Sequence, residues 1–289
     1  MEPILEIKGL NKHFNGFDLQ DINMVLPRGY IMGLIGPNGA GKTTIIKLIM
    51  NLINKDSGEI KIFGQNSDYF GKTIKQKIGF VYDESHFYEY ISIIDNKRII
   101  APFYQNWDDE LFNHYLSKFQ LQPRKKIKDL SRGMKTKFAL AMALSHRAEL
   151  IIMDEPTSGL DPVFRRELLD LLTDLMQDEN CGIIFSTHIT TDLERVADYI
   201  CLVNQGKVIF SDTRDSILET YQVAKGSREL LGQKDICDML QGVRDNQFGF
   251  EALTREGSKL KRLYGDKVVL DKASLDDIIL YTARGSLDV

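Results

Sequence analysis

The sequence predicts an α/β fold organised around a parallel sheet, and three observations predict it. Short apolar runs recur at 31–35, 150–153 and 182–186, as strands buried on both faces do. Helical patterns separate them, at 44–50, 163–177 and 190–197. A glycine-rich stretch, Gly36-Pro37-Asn38-Gly39-Ala40-Gly41-Lys42-Thr43-Thr44, stands between the first of those strands and the first helix. It fits the phosphate-binding pattern G-x-x-x-x-G-K-[ST] in the required order of strand, loop, helix. The core is therefore expected to be that of a P-loop nucleoside triphosphatase.

The remaining elements follow in order. Residues 5–10 and 22–26 read as early strands, with Pro27-Arg28-Gly29 as the turn before the loop strand. Asp56-Ser57-Gly58 is a turn leading into a strand at 59–63, and 77–82 is another strand. From 84 to 147 the pattern is helical and mixed. Trp107-Asp108-Asp109-Glu110 opens a helix with acids in its first turn, where the helix dipole favours them. Asp161-Pro162 starts the helix at 163–177. Residues 199–210 read as a hairpin around Asn204-Gln205-Gly206. Beyond about Asp212 apolar density drops and charges alternate, with a strand-like 267–270 and a helix-like 274–282. The expected division is a core domain at 1–212 and a small accessory region of mixed structure at 213–289.

Composition narrows the function. The chain has 289 residues, 43% hydrophobic and 27% charged, which suits a globular protein of two domains, or one with an appendage. A net charge of −4 argues against bulk electrostatic binding to nucleic acid. Cys181, Cys201 and Cys237 are odd in number and form no CxxC, so reduced thiols are expected rather than a disulfide frame or a zinc site. His13, His86, His114 and His146 show no metal spacing and read as structural. The start carries no basic and apolar leader, and no run of 18 apolar residues exists. The expectation is a chain on the cytoplasmic side that does not cross a membrane by itself.

Three motifs carry chemistry. In the loop, glycines let backbone N–H groups converge on phosphate, Lys42 supplies a point charge, and Thr43 offers a hydroxyl to Mg²⁺. Asp154 and Glu155 end the apolar strand at 150–153. Asp154 can hold Mg²⁺ there, and Glu155 can polarise an attacking water. Ser131-Arg132-Gly133 opens a helix and makes a second anion site from N–H groups and a hydroxyl. Arg124, Lys125, Lys126, Lys128, Arg132, Lys135 and Lys137 lie around it; on charge alone they read as a solvated basic face.

Together these motifs resemble the nucleotide-binding subunit of an ATP-binding cassette transporter, over residues 4–212. The loop looks like Walker A, and Leu150-Ile151-Ile152-Met153-Asp154-Glu155 like Walker B with Glu155 as the catalytic carboxylate. Leu130-Ser131-Arg132-Gly133-Met134-Lys135 looks like the family signature in an exporter-type variant. Ser158-Gly159-Leu160-Asp161 looks like the D-loop, which places Asp161 among the nucleotide-site residues, and His188 like the switch histidine. Phe14 stands where the family stacks an aromatic on adenine; a core phenylalanine is the other reading. The resemblance implies an antiparallel β subdomain and a helical subdomain at about 84–147. Asp83 departs from the glutamine usual in the family and is assigned to the Mg²⁺ side of the site. Arg132 and Met134 replace the usual glycine and glutamine, while Ser131 and Gly133 are retained.

The resemblance also implies a mechanism and partners. Two ATPase subunits, as a homodimer or heterodimer, sandwich ATP: one supplies Walker A, Walker B and His188, the other Ser131 and Gly133. Their closure drives a separate membrane permease, which would hold the chain on the inner face of the membrane. The docking surface is expected between Asp83 and Trp107, where Phe87-Tyr88-Glu89-Tyr90-Ile91 forms an aromatic run; a subdomain core is the alternative for that run. The signature variant, Asp83 and the tail, where Ala273-Ser274-Leu275-Asp276-Asp277-Ile278 resembles the end of exporter ATPases, point to export, of peptides or antimicrobials. Importer ATPases and cassette ATPases of ribosomes or DNA are the alternatives. The single cassette and the lack of a sustained heptad speak against the latter, and no direct nucleic-acid contact is expected.

Overall fold

The computed structural model describes residues 2–67, 72–82 and 86–284. The chain divides into two compact units, Met1–Ser211 and Asp212–Val289. The first unit opens with β1 (Leu5–Phe14) and β2 (Phe17–Leu26), then β3 (Ile31–Ile35), α1 (Lys42–Ile49), β4 (Ser57–Ile62) and β5 (Gln65–Asn66). It continues through α2 (Lys72–Lys75), β6 (Ile78–Val81), α3 (Ile93–Ile100), α4 (Asp109–Lys118), α5 (Arg132–Leu144) and β7 (Leu150–Asp154). It closes with α6 (Pro162–Leu175), β8 (Gly182–Thr187), α7 (Thr190–Val196), β9 (Tyr199–Asn204) and β10 (Lys207–Thr213).

Two sheets share one core. The first is antiparallel, in the order β2-β1-β4-β5. The second runs β10-β9-β3-β8-β7-β6, with β9, β3, β8, β7 and β6 mutually parallel. Leu10, Ile22, Ile60 and Ile62 of the first sheet join Leu34, Ile45, Ile49, Ile152, Ile184 and Val203 in a single apolar cluster. Strands β3, β7 and β8 are buried at every position, which is why they read as unbroken apolar runs rather than as alternation. The first hairpin is longer than expected. Towards its tip the polar residues Lys12, His13 and Asp18 adjoin the half-buried pair Phe14 and Phe17, so strand structure there rests on cross-strand pairing such as His13 with Asp18 more than on alternating burial.

The helices of 93–144 form a second layer. Ser92 caps α3 by accepting from the Asp95 N–H, and Asp108 caps α4 by accepting from the Leu111 N–H. Phe112 of α4 and Phe138 of α5 are fully buried. His146 follows α5 and is 2% exposed. Its ring stacks on Tyr104 at 4.0 Å, and Nδ1 donates to the Gln76 carbonyl at 3.1 Å. Gln76 in turn donates to the Phe103 carbonyl and accepts from the Gln105 N–H, closing a small polar clamp.

The second unit carries α8 (Arg214–Thr220), β11 (Gln222–Gly226), α9 (Lys234–Cys237), β12 (Gln241–Asn246), β13 (Gly249–Thr254), α10 (Gly257–Tyr264), β14 (Val268–Lys272) and α11 (Leu275–Arg284). Its antiparallel sheet has the order β12-β13-β11-β14. Ala224, Leu230, Ile236, Met239, Phe250, Ala252, Leu260 and Val268 form its own core. The strand and helix expected near 267–282 are β14 and α11; the other strands were not expected. Among the described residues no helix is long and apolar enough to cross a membrane.

Two outcomes follow for stability. Burial lowers the His146 pKa from 6.5 to about 4, so the unfolded chain binds this proton more readily between those values. Stability should fall as pH drops through that window, by on the order of 2 kcal/mol at pH 5 from this residue. Urea unfolding of His146→Phe, which keeps a stacked ring, should show a flatter pH dependence; an unchanged slope contradicts the assignment. Gly36, directly after β3, has φ +153, and a Cβ there would lie 2.0 Å from the Val203 carbonyl oxygen. Gly36→Ala should therefore lower unfolding stability by roughly 1–3 kcal/mol, and an unchanged midpoint contradicts this loop geometry.

Candidate functional site

Sheet register assembles the site. Ile35 pairs with Thr187 across β3 and β8, and Asp154 pairs with Ser186 across β7 and β8. The three strands are parallel, so the loop after β3, the carboxylates after β7 and the histidine after β8 leave the sheet on one edge. That edge, at the carboxyl ends of parallel strands, is where open α/β sheets bind ligands.

The loop is shaped for an anion. Gly36, Gly39 and Gly41 have φ of +153, +80 and +115. At Gly41 a Cβ would meet Leu19 Cδ2 at 2.6 Å, so β2 presses on the loop from one side. Ala40 is buried, while Pro37, Asn38 and Gly39 are exposed at the turn. Helix α1 begins at Lys42, with Thr43 exposed and Thr44 half-buried in its first turn. Lys42 is 6% exposed, and its Nζ donates to the carbonyls of Gly36 at 2.8 Å and Pro37 at 3.3 Å.

The carboxylates face this lysine. Glu155 Oε1 lies 3.6 Å from Lys42 Nζ, and Glu155 Oε2 lies 2.8 Å from His188 Nδ1. Glu155 has a left-handed backbone, φ +48, which turns the chain sharply at the end of β7. Ser186 links the pair: its Oγ donates to Asp154 Oδ1 at 2.6 Å and accepts from the Glu155 N–H at 2.9 Å. Sequence reading missed Ser186. The signal was present, as a serine ending the otherwise apolar strand before His188. Lys42, Glu155 and His188 are thus brought together, with Asp154 beside them.

Asp154 supplies the test for a cation. It is 4% exposed, and among the described residues it forms no ion pair with a lysine, arginine or histidine. A buried carboxylate without a counter-ion fits a metal ion. No group of three or more His, Cys, Asp or Glu able to hold a metal occurs among the described residues. So few protein donors would suit Mg²⁺ shared with water and phosphate oxygens, and Thr43 and Asp154 are the residues that could hold it. Asp83, the third expected ligand, lies outside the described residues.

The other expected residues stand apart from this cluster. Phe14 is half-buried and lines a hollow of about 420 Å³ with His13, Phe17, Asp18, Gly39 and Gln205. The hollow borders the phosphate loop through Gly39 and can take a flat ring system against Phe14. Ser131 caps α5, its Oγ accepting from the Met134 N–H at 3.3 Å, and Gly133 lies in the first turn. Among the described residues no hydrogen bond joins Ser131 or Gly133 to the loop at 36–44. Asp161 caps α6, accepting from the N–H groups of Val163 and Phe164 at 3.1 and 3.0 Å. In the aromatic run Phe87 packs on Phe138 at 4.5 Å, whereas Tyr88 and Tyr90 are exposed; the run serves core and surface at once.

Comparison with known proteins places the chain in a family. A family profile described as ABC transporter matches residues 19–158. A second, described as an AAA domain, putative AbiEii toxin, Type IV TA system, matches residues 126–191. The chain is 34% identical over 214 residues to the bacitracin transport ATP-binding protein BcrA of Bacillus licheniformis, covering 72% of this chain and 69% of that protein. It is 33% identical over 215 residues to the lantibiotic transport ATP-binding protein SrtF of Streptococcus pyogenes, covering 73% of this chain and 92% of the relative. A solved structure of an ATP-binding subunit of an ABC transporter superposes with a TM-score of 0.69 at 30% identity, over 75% of this chain and 92% of that one. The chain belongs to the ATP-binding proteins of ABC transporters, and it is an ATPase.

Proposed function

We propose that this ATPase drives export through a separate membrane permease, with ATP hydrolysed in composite sites between two ATP-binding subunits. The observation that carries the chemistry is Glu155, turned by its left-handed backbone to within 2.8 Å of His188 and 3.6 Å of Lys42. In this reading the 36–44 backbone and Lys42 bind the phosphates, and Phe14 stacks on adenine. Glu155 orients and deprotonates the attacking water, and His188 contacts the γ-phosphate. Mg²⁺, held by Thr43 and Asp154, would neutralise phosphate charge. Most of the rate enhancement then comes from positioning and electrostatics.

Ser131 and Gly133 support the composite arrangement. They stand at the start of α5, Ser131 exposed and Gly133 half-buried, and among the described residues have no hydrogen bond to the phosphate loop of their own subunit. Ser131 and Gly133 of a second copy, or of a related subunit, would close the site. Asp161 would lie at that contact, on the helix cap after Glu155. A permease belongs to this reading because relatives are named for transport, while no described helix is long and apolar enough to cross a membrane. Through it the chain would sit at the inner face of the membrane, with exposed Tyr88 and Tyr90 as part of the docking surface. The relatives named for bacitracin and lantibiotic transport favour export, and a peptide or peptide-like antimicrobial as cargo.

Glu155→Gln tests the chemical step, since it keeps the shape and removes the base. Hydrolysis should fall about 100-fold or more while ATP affinity stays within about threefold. Steady-state ATPase and equilibrium nucleotide binding on the same variant give both numbers. Hydrolysis near the parental rate sinks the role of Glu155.

A further inference from the structure

We infer that Ser186 is a positioning residue for hydrolysis, its one hydroxyl fixing Asp154 and Glu155 relative to each other. The inference rests on the roles given above to those two carboxylates. Its basis is the direction of a hydrogen-bond chain. The Glu155 N–H can only donate, so the Ser186 oxygen accepts from it and turns its own O–H to Asp154 Oδ1, at 2.6 Å. The lone pairs of the same oxygen then face the Glu155 N–H, at 2.9 Å. One oxygen is thus donor to the first carboxylate and acceptor for the backbone of the second.

The location gives this link its effect. Ser186 is fully buried, so water does not compete for either bond. Glu155 pays for its left-handed backbone, a conformation that side-chain-bearing residues adopt only when surroundings hold them there. The bond from its N–H to Ser186 is the side-chain restraint on that turn, beside the backbone bond from the Ser158 N–H to the Glu155 carbonyl at 3.1 Å. The turn sends the Glu155 side chain to Lys42 and His188 rather than along the strand direction. Serine fits because β8 and β7 are in register, Asp154 opposite Ser186, so a one-carbon hydroxyl reaches both partners.

Loss of the hydroxyl should leave the fold and the phosphate loop intact and spoil the aim of Glu155. The test compares Ser186→Ala and Ser186→Thr with the parent in the full chain. It measures steady-state ATPase, equilibrium affinity for a fluorescent ATP analogue and thermal midpoint. For Ser186→Ala, kcat should drop roughly 10- to 100-fold, with KM and affinity within about threefold, as misplacement of a catalytic group predicts. Ser186→Thr, which keeps the hydroxyl, should return kcat to within about fivefold of the parent. If Ser186→Ala does not fold, Ser186→Cys, with a weaker donor in a similar volume, should show the same split. An alanine variant with kcat within twofold of the parent overturns the inference. So does a kcat loss matched by equal loss of affinity, or a folded threonine variant as slow as alanine. A Glu155→Gln variant that is inactive beside an active Ser186→Ala leaves the site reading standing and removes only this inference.

Discussion

The register of three parallel strands is the constraint from which the rest follows. β3, β8 and β7 lie side by side and are buried throughout. Asp154 is the last residue of β7, after four apolar ones. A slip of that strand by one residue would set Asp154 opposite Phe185 or Thr187 of β8 instead of Ser186. It would cost the desolvation of an unpaired charge as well as the packing of every side chain on the strand. Core packing and site geometry are therefore specified by the same contacts.

Around that edge the protein places charge where it is not solvated away. Lys42 donates to two carbonyls of the loop and forms an ion pair with Glu155, so its ammonium faces protein groups instead of water. Glu155 is shared between this cation and His188, and its backbone is anchored to Ser186. A group held from both ends needs little rearrangement when charge develops nearby, which is the physical content of preorganisation. The signature residues obey a different logic. Ser131 caps its own helix, its Oγ accepting from the Met134 N–H.

Legibility in the sequence followed burial and motif density. The phosphate loop, the Asp154-Glu155 tip and the strand before His188 were readable because apolar strands and fixed spacings leave little choice of structure. The tip of the first hairpin was not, because Lys12, His13 and Asp18 break the apolar alternation and are ordered by pairing across the turn. The strands of the second unit were hidden for a related reason. β12 exposes Arg244, Asp245 and Asn246, and its partner β13 contains Glu251, so period-two patterning is blurred by charge. For Ser186 the sequence shows a serine in an apolar strand but not its partner, because Asp154 comes opposite it only through the register of β7 and β8. Phe14 was left between adenine stacking and core packing, and its side chain lines a hollow beside Gly39.

The central claim is that one catalytic site is completed by residues of two chains. Complementation tests it directly: a chain carrying Lys42→Ala is mixed with a chain carrying Ser131→Arg. Each variant alone has a defect in both sites of its dimer and should be nearly inactive. In a mixed dimer one site takes Lys42 from one chain and Ser131 from the other, both unaltered, so ATPase activity should reappear at a substantial fraction of the parental rate. Mixed dimers that form, as judged by differential tagging, yet regain no activity would contradict the account and place hydrolysis within a single subunit.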